Sequence, residues 1–246
     1  MDNGTKPTSL NGEPEPARLI VVDDHNFVRD GIKLMLSAEQ DIRVVGEAAN
    51  GREALELCGR VRPELVLMDV RMPRVDGLAA TREIKQRFPD VSVLVITMHE
   101  NEDYLLKAIR AGAAGYVLKD ASQRELVTAV RKVLEGETPM NRKLATRLLQ
   151  RLADEPHEKS EGATALSKPP RHAQPLQPLT PREVEVLECL ALGKSNREIA
   201  EDFVISVGTV KNHVEHIIAK LGVSDRTQAV VQALELGIIE FPNSKG

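Results

Sequence analysis

Tryptophan is absent from this 246-residue chain, and the other aromatics amount to four phenylalanines and two tyrosines. Any core must therefore be aliphatic, built from Val, Leu, Ile and Ala. Cysteine is scarce as well. Cys58 and Cys189 lie far apart and outside any metal-ligand spacing, which excludes a disulfide framework and a zinc module. Cys58 lines up with Ala54 and Val61 on one helical face and reads as a small core residue. No apolar run approaches the ~20 residues of a membrane span. The opening stretch, MDNGTKPTSLNGEPEPA, has no apolar centre of a signal peptide. These absences predict a cytoplasmic protein with no membrane partner. An excess of positive charge is missing too, since the formal net charge is −4. Residues 18–137 carry 18 Lys and Arg against 20 Asp and Glu, residues 177–246 carry 7 against 10, and residues 138–176 carry 7 against 4. A surface for nucleic acid must then be a local arrangement on one face.

What the chain does have is alternation. LIVV (19–22), IRVVGE (42–47), ELVLMD (64–69), VSVLVIT (91–97) and GYVLK (115–119) are short, nearly continuous apolar runs, as strands buried on both faces require. Amphipathic stretches follow each of them: Asn26–Ser37, a segment opened by Asn50–Gly51, Gly77–Phe88, Asn101–Ala111 and Ser122–Leu134. Five such βα units predict an α/β, doubly wound, five-stranded parallel sheet of flavodoxin-like order 2-1-3-4-5. Beyond it comes a short helical candidate, Lys143–Leu152, and then a polar, Pro-rich linker. From Leu179 the pattern is all-α. Thr180-Pro181-Arg182-Glu183 and Ser195-Asn196-Arg197-Glu198 are capping boxes, Gly193 and Gly222 are helix stops, and Ser206 and Ser224 are candidate N-caps. The expected result is a four-helix domain with a helix–turn–helix at its centre. The domain division is then a disordered tail at 1–17, an α/β domain at 18–138, a linker with a short helix at 139–177 and a helical domain at 178–246.

Polar groups stand at the carboxyl ends of the strands, where ligands bind in open α/β sheets. Asp23 and Asp24 follow the first strand, Asp69 the third, Thr97 the fourth and Lys119 the fifth. Three carboxylates at one rim repel one another unless a cation joins them, and hard oxygen donors suit Mg²⁺. A lysine amine and a threonine hydroxyl at the same rim can neutralise and orient a phosphoryl group. Asp69 is the candidate in-line nucleophile.

DD at 23–24, MDVRMPRVDG at 68–77, Thr97 and GYVLK at 115–119 together resemble the receiver domain of bacterial two-component response regulators. The resemblance implies Asp69 as phosphoacceptor, Asp24 and Asp69 as Mg²⁺ ligands, Asp23 assisting through water, and the Arg71 backbone carbonyl completing the set. It implies Thr97 and Tyr116 as a switch pair, with Lys119 completing the catalytic group. Asp120 departs from the proline that often follows the lysine, which puts the geometry of that loop at issue.

In the segment Ser206–Leu221, Val207, Val210, Val214, Ile217, Ile218 and Leu221 form an apolar stripe, while Thr209, Lys211, Asn212, Glu215 and His216 face the other way. Lys and Asn suit base edges and Thr suits phosphate, so the segment is a candidate recognition helix. LTPREVEVLECLALGKSNREIAEDFVISVGTVKNHVEHIIAKLGVSDRTQAV closely resembles the LuxR-type module of NarL/FixJ response regulators. The resemblance implies that Lys211, Asn212 and Glu215 face base edges. It places Thr180, Asn196, Thr209, Val210, His213 and Lys220 at or near the sugar-phosphate backbone. Glu215 departs from the cation common thereabouts. Implied partners are a sensor histidine kinase, double-stranded promoter DNA and a second copy of the phosphorylated chain, with RNA polymerase as a further candidate.

Two rival readings are an aspartate-nucleophile phosphatase and a regulator whose first domain only dimerises. The first would place D-x-D-x-T after the first strand, where this chain has Val22-Asp23-Asp24-His25. The intact acidic set argues against the second.

Overall fold

The computed structural model describes residues 15–72, 76–98, 102–139 and 177–239. The chain divides into two compact units between Pro139 and Met140. The tail up to residue 14 and the helix expected over Lys143–Leu152 lie outside the described residues.

The first unit alternates strand and helix: β1 (Ala17–Val22), α1 (Asn26–Leu36), β2 (Ile42–Ala48), α2 (Gly51–Val61), β3 (Leu65–Asp69), α3 (Gly77–Arg87), β4 (Ser92–Thr97), α4 (Glu102–Arg110), β5 (Gly115–Leu118) and α5 (Gln123–Leu134). The strands form one parallel sheet of order β2-β1-β3-β4-β5, as expected. Every residue of β3 is buried because helices cover both faces. Leu19, Val21, Leu65, Leu67, Leu94 and Ile96 point to one face, against Ile32 and Leu36 of α1 and Leu126, Val130 and Val133 of α5. β1 begins at Ala17, so the expected tail ends at least one residue earlier than its assigned boundary. Cys58 is fully buried and its thiol is pushed up to about 11 by that burial, which suits an inert core position.

The second unit holds α6 (Pro181–Ala191), α7 (Asn196–Phe203), α8 (Val207–Leu221) and α9 (Arg226–Glu235). Both sequence-predicted capping boxes form: Thr180 with Glu183 and Ser195 with Glu198. The cap of α9 is Asp225, whose side chain accepts from the Gln228 amide, and not Ser224. The two are adjacent, and the backbone of Asp225 is the extended one an N-cap needs. Helices α6, α7 and α9 all pack on α8. Val210, Val214, Ile217 and Leu221 of α8 are buried beneath them.

Candidate functional site

The parallel sheet carries Asp23, Asp69, Thr97 and Lys119 to one rim. Asp69 is the last residue of β3, paired with Ile96 of β4, and Thr97 pairs with Leu118 of β5. Lys119 therefore follows directly on the β4–β5 ladder, and its amide donates to the Thr97 carbonyl at 2.8 Å. The Lys119 ammonium bridges two carboxylates, 2.6 Å from Asp23 Oδ2 and 3.0 Å from Asp69 Oδ2. Both aspartates are almost fully buried. A cavity of about 350 Å³ opens on Asp69 and Lys119, lined also by Thr97, His25, Arg71 and Tyr104. All described peptide bonds are trans, Lys119–Asp120 included.

Opposed forces act on the buried charges. Burial raises the Asp69 carboxyl above the ordinary carboxylate range. The hydrogen bond and charge of Lys119 pull it down, and the Asp23 charge pushes it up again. Burial pulls the Lys119 amine down, but hydrogen bonds and charge from Asp23 and Asp69 outweigh it and hold the amine above its ordinary value. Lys119 is thus a fixed cation, and Asp69 is a carboxylate kept out of water with one strong partner.

Asp24 offers the sign of a cation site. Its Oδ1 is buried with no hydrogen bond. His25 Nδ1 lies 2.9 Å away, yet not in hydrogen-bonding geometry. Ligand atoms of Asp23, Asp24 and His25 all lie within 4.8 Å of one another. An orphaned carboxylate oxygen beside buried acids fits a hard divalent cation, which would supply the missing partner.

Three features of the pocket were not read from the sequence. Arg29 is buried on α1, in line with Ile32 and Leu36. Its Nη1 donates to the Asp23 backbone carbonyl at 2.6 Å, Nε donates to Glu47 at 3.0 Å, and a third bond reaches the Asn26 side chain. It anchors the acidic turn, and a charged residue on an otherwise apolar helical face was the available signal. Gly77 lies against the Asp69 carbonyl, closer than any Cβ can come. Tyr104 stacks under the Arg71 guanidinium, 5.2 Å from ring centroid to Cζ, at the cavity wall. Tyr116 is buried in β5 and does not line the cavity, whereas Thr97 does.

On the second unit, α8 turns Lys211, Asn212, Glu215 and His216 to solvent, and Thr209 is exposed in its first turn. His213 is half-buried and Thr180 is exposed at the start of α6. Two of the residues expected at or near the sugar-phosphate backbone, Val210 and Asn196, have buried side chains. Val210 belongs to the stripe under α6, α7 and α9, and Asn196 faces Arg226. Lys220 is mostly covered, donating to Glu183 at 2.7 Å. Val207 also differs from expectation. It is 41% exposed, in the first turn of α8. Phe203 is half-buried and is capped by the Arg182 guanidinium at 3.7 Å.

The Glu183–Lys220 pair ties α6 to α8. Burial raises the Glu183 carboxyl, but the Lys220 hydrogen bond and the Thr180 amide and hydroxyl together hold it below its ordinary 4.5. A carboxyl depressed in the folded state stabilises above its unfolded pKa and loses that contribution as pH falls through the folded value. The helical unit is therefore expected to lose stability progressively below about pH 4.5. Glu183→Gln should flatten this acid limb in thermal unfolding measured against pH; superimposable limbs would exclude the pair as its source.

Residues 19–131 match the family described as the response regulator receiver domain, and residues 177–233 match bacterial regulatory proteins of the luxR family. The transcriptional regulatory protein DegU of Brevibacillus brevis is 39% identical over 226 residues, covering 91% of this chain and 95% of that protein. The oxygen regulatory protein NreC of Staphylococcus aureus is 36% identical over 225 residues, covering 91% of this chain and all of NreC. Among solved structures, a LuxR-family two-component response regulator from Aurantimonas sp. SI85-9A1 matches at 36% identity and a TM-score of 0.51, over 55% of this chain and 97% of that one. The RcsB response regulator of Salmonella typhimurium, described for conformational dynamism in DNA interaction, matches at 25% identity and a TM-score of 0.51, over 87% of this chain and 97% of that one.

Proposed function

This chain belongs to the two-component response regulators of the NarL/FixJ type, and we propose that it takes a phosphoryl group from a sensor histidine kinase on Asp69 and then binds promoter DNA through α8. Its receiver domain spans residues 17–138, taking in Ala17 of β1, and its DNA-binding domain 178–246, joined by the linker 139–177. The observation that carries the reading is the Lys119 ammonium, within 3.0 Å of both Asp23 and Asp69 at the mouth of the cavity.

Asp69 Oδ attacks phosphorus and the bond to the donor breaks, leaving an acyl phosphate on the carboxylate. Burial helps here, because a poorly hydrated carboxylate sheds little water as it reacts. Lys119 then faces a phosphoryl oxygen while keeping Asp23 as its second partner. The Thr97 hydroxyl, at the same cavity wall, donates to another oxygen, and Tyr116 behind it answers the displacement of Thr97. Asp24, Asp69 and the Arg71 carbonyl, with Asp23 assisting through water, would hold Mg²⁺, which would supply neutralisation of phosphoryl charge. Arg29 keeps the Asp23 turn in place throughout.

The phosphorylated form acts as a homodimer that sets two recognition helices on two half-sites, with RNA polymerase as a further partner at the promoter. No helix among the described residues is long and apolar enough to cross a membrane, and the proposed site of action is the cytoplasm. Lys211, Asn212 and Glu215 face base edges. Thr209, His213 and Thr180 lie toward the phosphates.

Incubation with acetyl phosphate and Mg²⁺ followed by intact-mass measurement tests the first half. One stable phosphoryl adduct supports the proposal, steady turnover of acetyl phosphate indicates a phosphatase, and no reaction leaves the domain as a dimerisation platform. Lys211→Ala tests the second half. Loss of the cation should weaken specific binding by about 1–3 kcal/mol in a gel-shift titration. Undiminished affinity in that variant would take α8 off the DNA.

A further inference from the structure

We propose that the first turn of α8 reads a thymine: Val207 contacts the C5-methyl group of a thymine in the major groove, and Gly208 lets the helix backbone approach closely enough for it to do so. The proposal rests on the reading of α8 as the recognition helix and adds a base-specific contact to it.

Val207, Lys211 and Glu215 occupy one i, i+4, i+8 row of α8, and all three are exposed. The row thus runs from an apolar residue to a cation to an acceptor. Val207 is 41% exposed although it is β-branched and sits in a structured helix. The neighbouring Val204, in the turn before α8, is 90% exposed, so apolar surface is concentrated at this end. Both valines border one shallow depression with Ser206 and Arg197. In a helix–turn–helix the N-terminal residues of the second helix meet base edges. The one apolar landmark on those edges is the thymine methyl.

Gly208 supplies an independent indication. Its φ lies in the ordinary helical region, and a Cβ built on it meets only Ser206 Oγ, at an ordinary 3.6 Å. Nothing inside the protein requires glycine there. In a helix, glycine is less favourable than alanine. A glycine with no internal constraint, on the same turn as Val207, leaves room for a body that approaches from outside.

The geometry also sets the register. Four residues along a helix rise about 6 Å, against about 3.4 Å for each base-pair step, so Val207 and Lys211 reach positions roughly two steps apart. The selected site should then hold a thymine about two positions from the base that Lys211 contacts.

The test uses the full-length phosphorylated protein and duplexes it selects from a random-sequence pool. In the selected duplex each thymine is replaced in turn by deoxyuridine, which removes only the methyl. Wild type is expected to lose about three- to fivefold in affinity at one thymine, the worth of one methyl-sized apolar contact. Val207→Ala should bind the thymine and uracil duplexes equally. Gly208→Ala should melt at a higher temperature yet bind the selected duplex more weakly, a combination that a purely structural role does not produce. Indifference of wild type to uracil at every position overturns the proposal, as does unchanged uracil sensitivity in Val207→Ala. If wild type selects no duplex at all, the reading of α8 as a recognition helix fails first and this contact with it. If Lys211→Ala loses affinity while uracil has no effect, that reading stands and only the thymine contact is wrong.

Discussion

Asp69→Asn should take up no phosphoryl group from acetyl phosphate, while its melting temperature stays at or slightly above that of the wild type. The two halves of this expectation come from one environment. An amide oxygen is not a nucleophile toward phosphorus, so the acyl phosphate cannot form. The fold tolerates the change because the Asp69 carboxylate is costly where it sits: burial raises its pKa, and the Asp23 charge adds to that. An acid whose pKa is raised by folding disfavours the charged folded state, and a neutral amide of the same shape removes that penalty. Lys119 keeps its shorter contact, 2.6 Å to Asp23, and so remains a paired cation. Intact mass after incubation with acetyl phosphate and Mg²⁺ reads the first half, and thermal unfolding reads the second. A phosphoryl adduct forming at the wild-type rate would refute Asp69 as the acceptor. A large fall in melting temperature would show that its charge is structural.

Gly77→Ala is expected to be the most damaging single methyl in the receiver. A Cβ at this position falls 1.9 Å from the Asp69 carbonyl oxygen, 2.9 Å from its carbonyl carbon and 3.0 Å from Val70 Cα. All three are backbone atoms, so no side chain can rotate away. Gly77 is also tied in place, because its amide donates to the Val70 carbonyl at 3.1 Å and Asp76 caps the same helix end. Relief requires moving the start of α3 away from the end of β3. The cost should be about 2–4 kcal/mol, at the upper end of overpacking effects. The molecules that still fold should phosphorylate slowly, since Asp69 is displaced from Lys119. Gly31→Ala is the internal control. It adds a Cβ that meets nothing within 4 Å in α1 and should stabilise by about 0.4–1 kcal/mol. Urea unfolding of the two variants side by side, with phosphorylation rates, checks both signs. Equal stability for the two proteins would remove the close approach of α3 to Asp69 as a structural requirement.

The extent to which the sequence was legible differs from residue to residue. The strands and the reactive groups at their ends could be read because periodicity and position along a strand are local properties. A parallel sheet then brings all strand ends to one rim, so the proximity of Asp23, Asp69, Thr97 and Lys119 follows from strand order alone. Capping boxes at Thr180 and Ser195 were equally legible, since each bond spans three residues. The errors arose where a residue's surroundings come from elsewhere in the chain. Val207 continues the apolar period of α8, but it is left 41% exposed in the first turn. Asn196 and Lys220 carry the right chemistry for phosphate, and the partners they have in this structure, Arg226 and Glu183, could not be read from their own segments.

By itself, then, the sequence determined the element types, the parallel sheet, the acidic rim and the two-domain plan, because alternation of apolar and polar residues encodes which face of each element is buried. Tertiary structure alone decided who partners whom: Lys119 with Asp23 across 96 positions, Arg29 with Glu47, and Glu183 with Lys220. It also decided that Gly77 must lack a side chain and that Gly208 need not for the protein's own sake. The reason is physical. Hydrophobic pattern is a property of one element, whereas ion-pair geometry and steric clearance belong to the space between elements, and that space exists only once the chain has closed on itself.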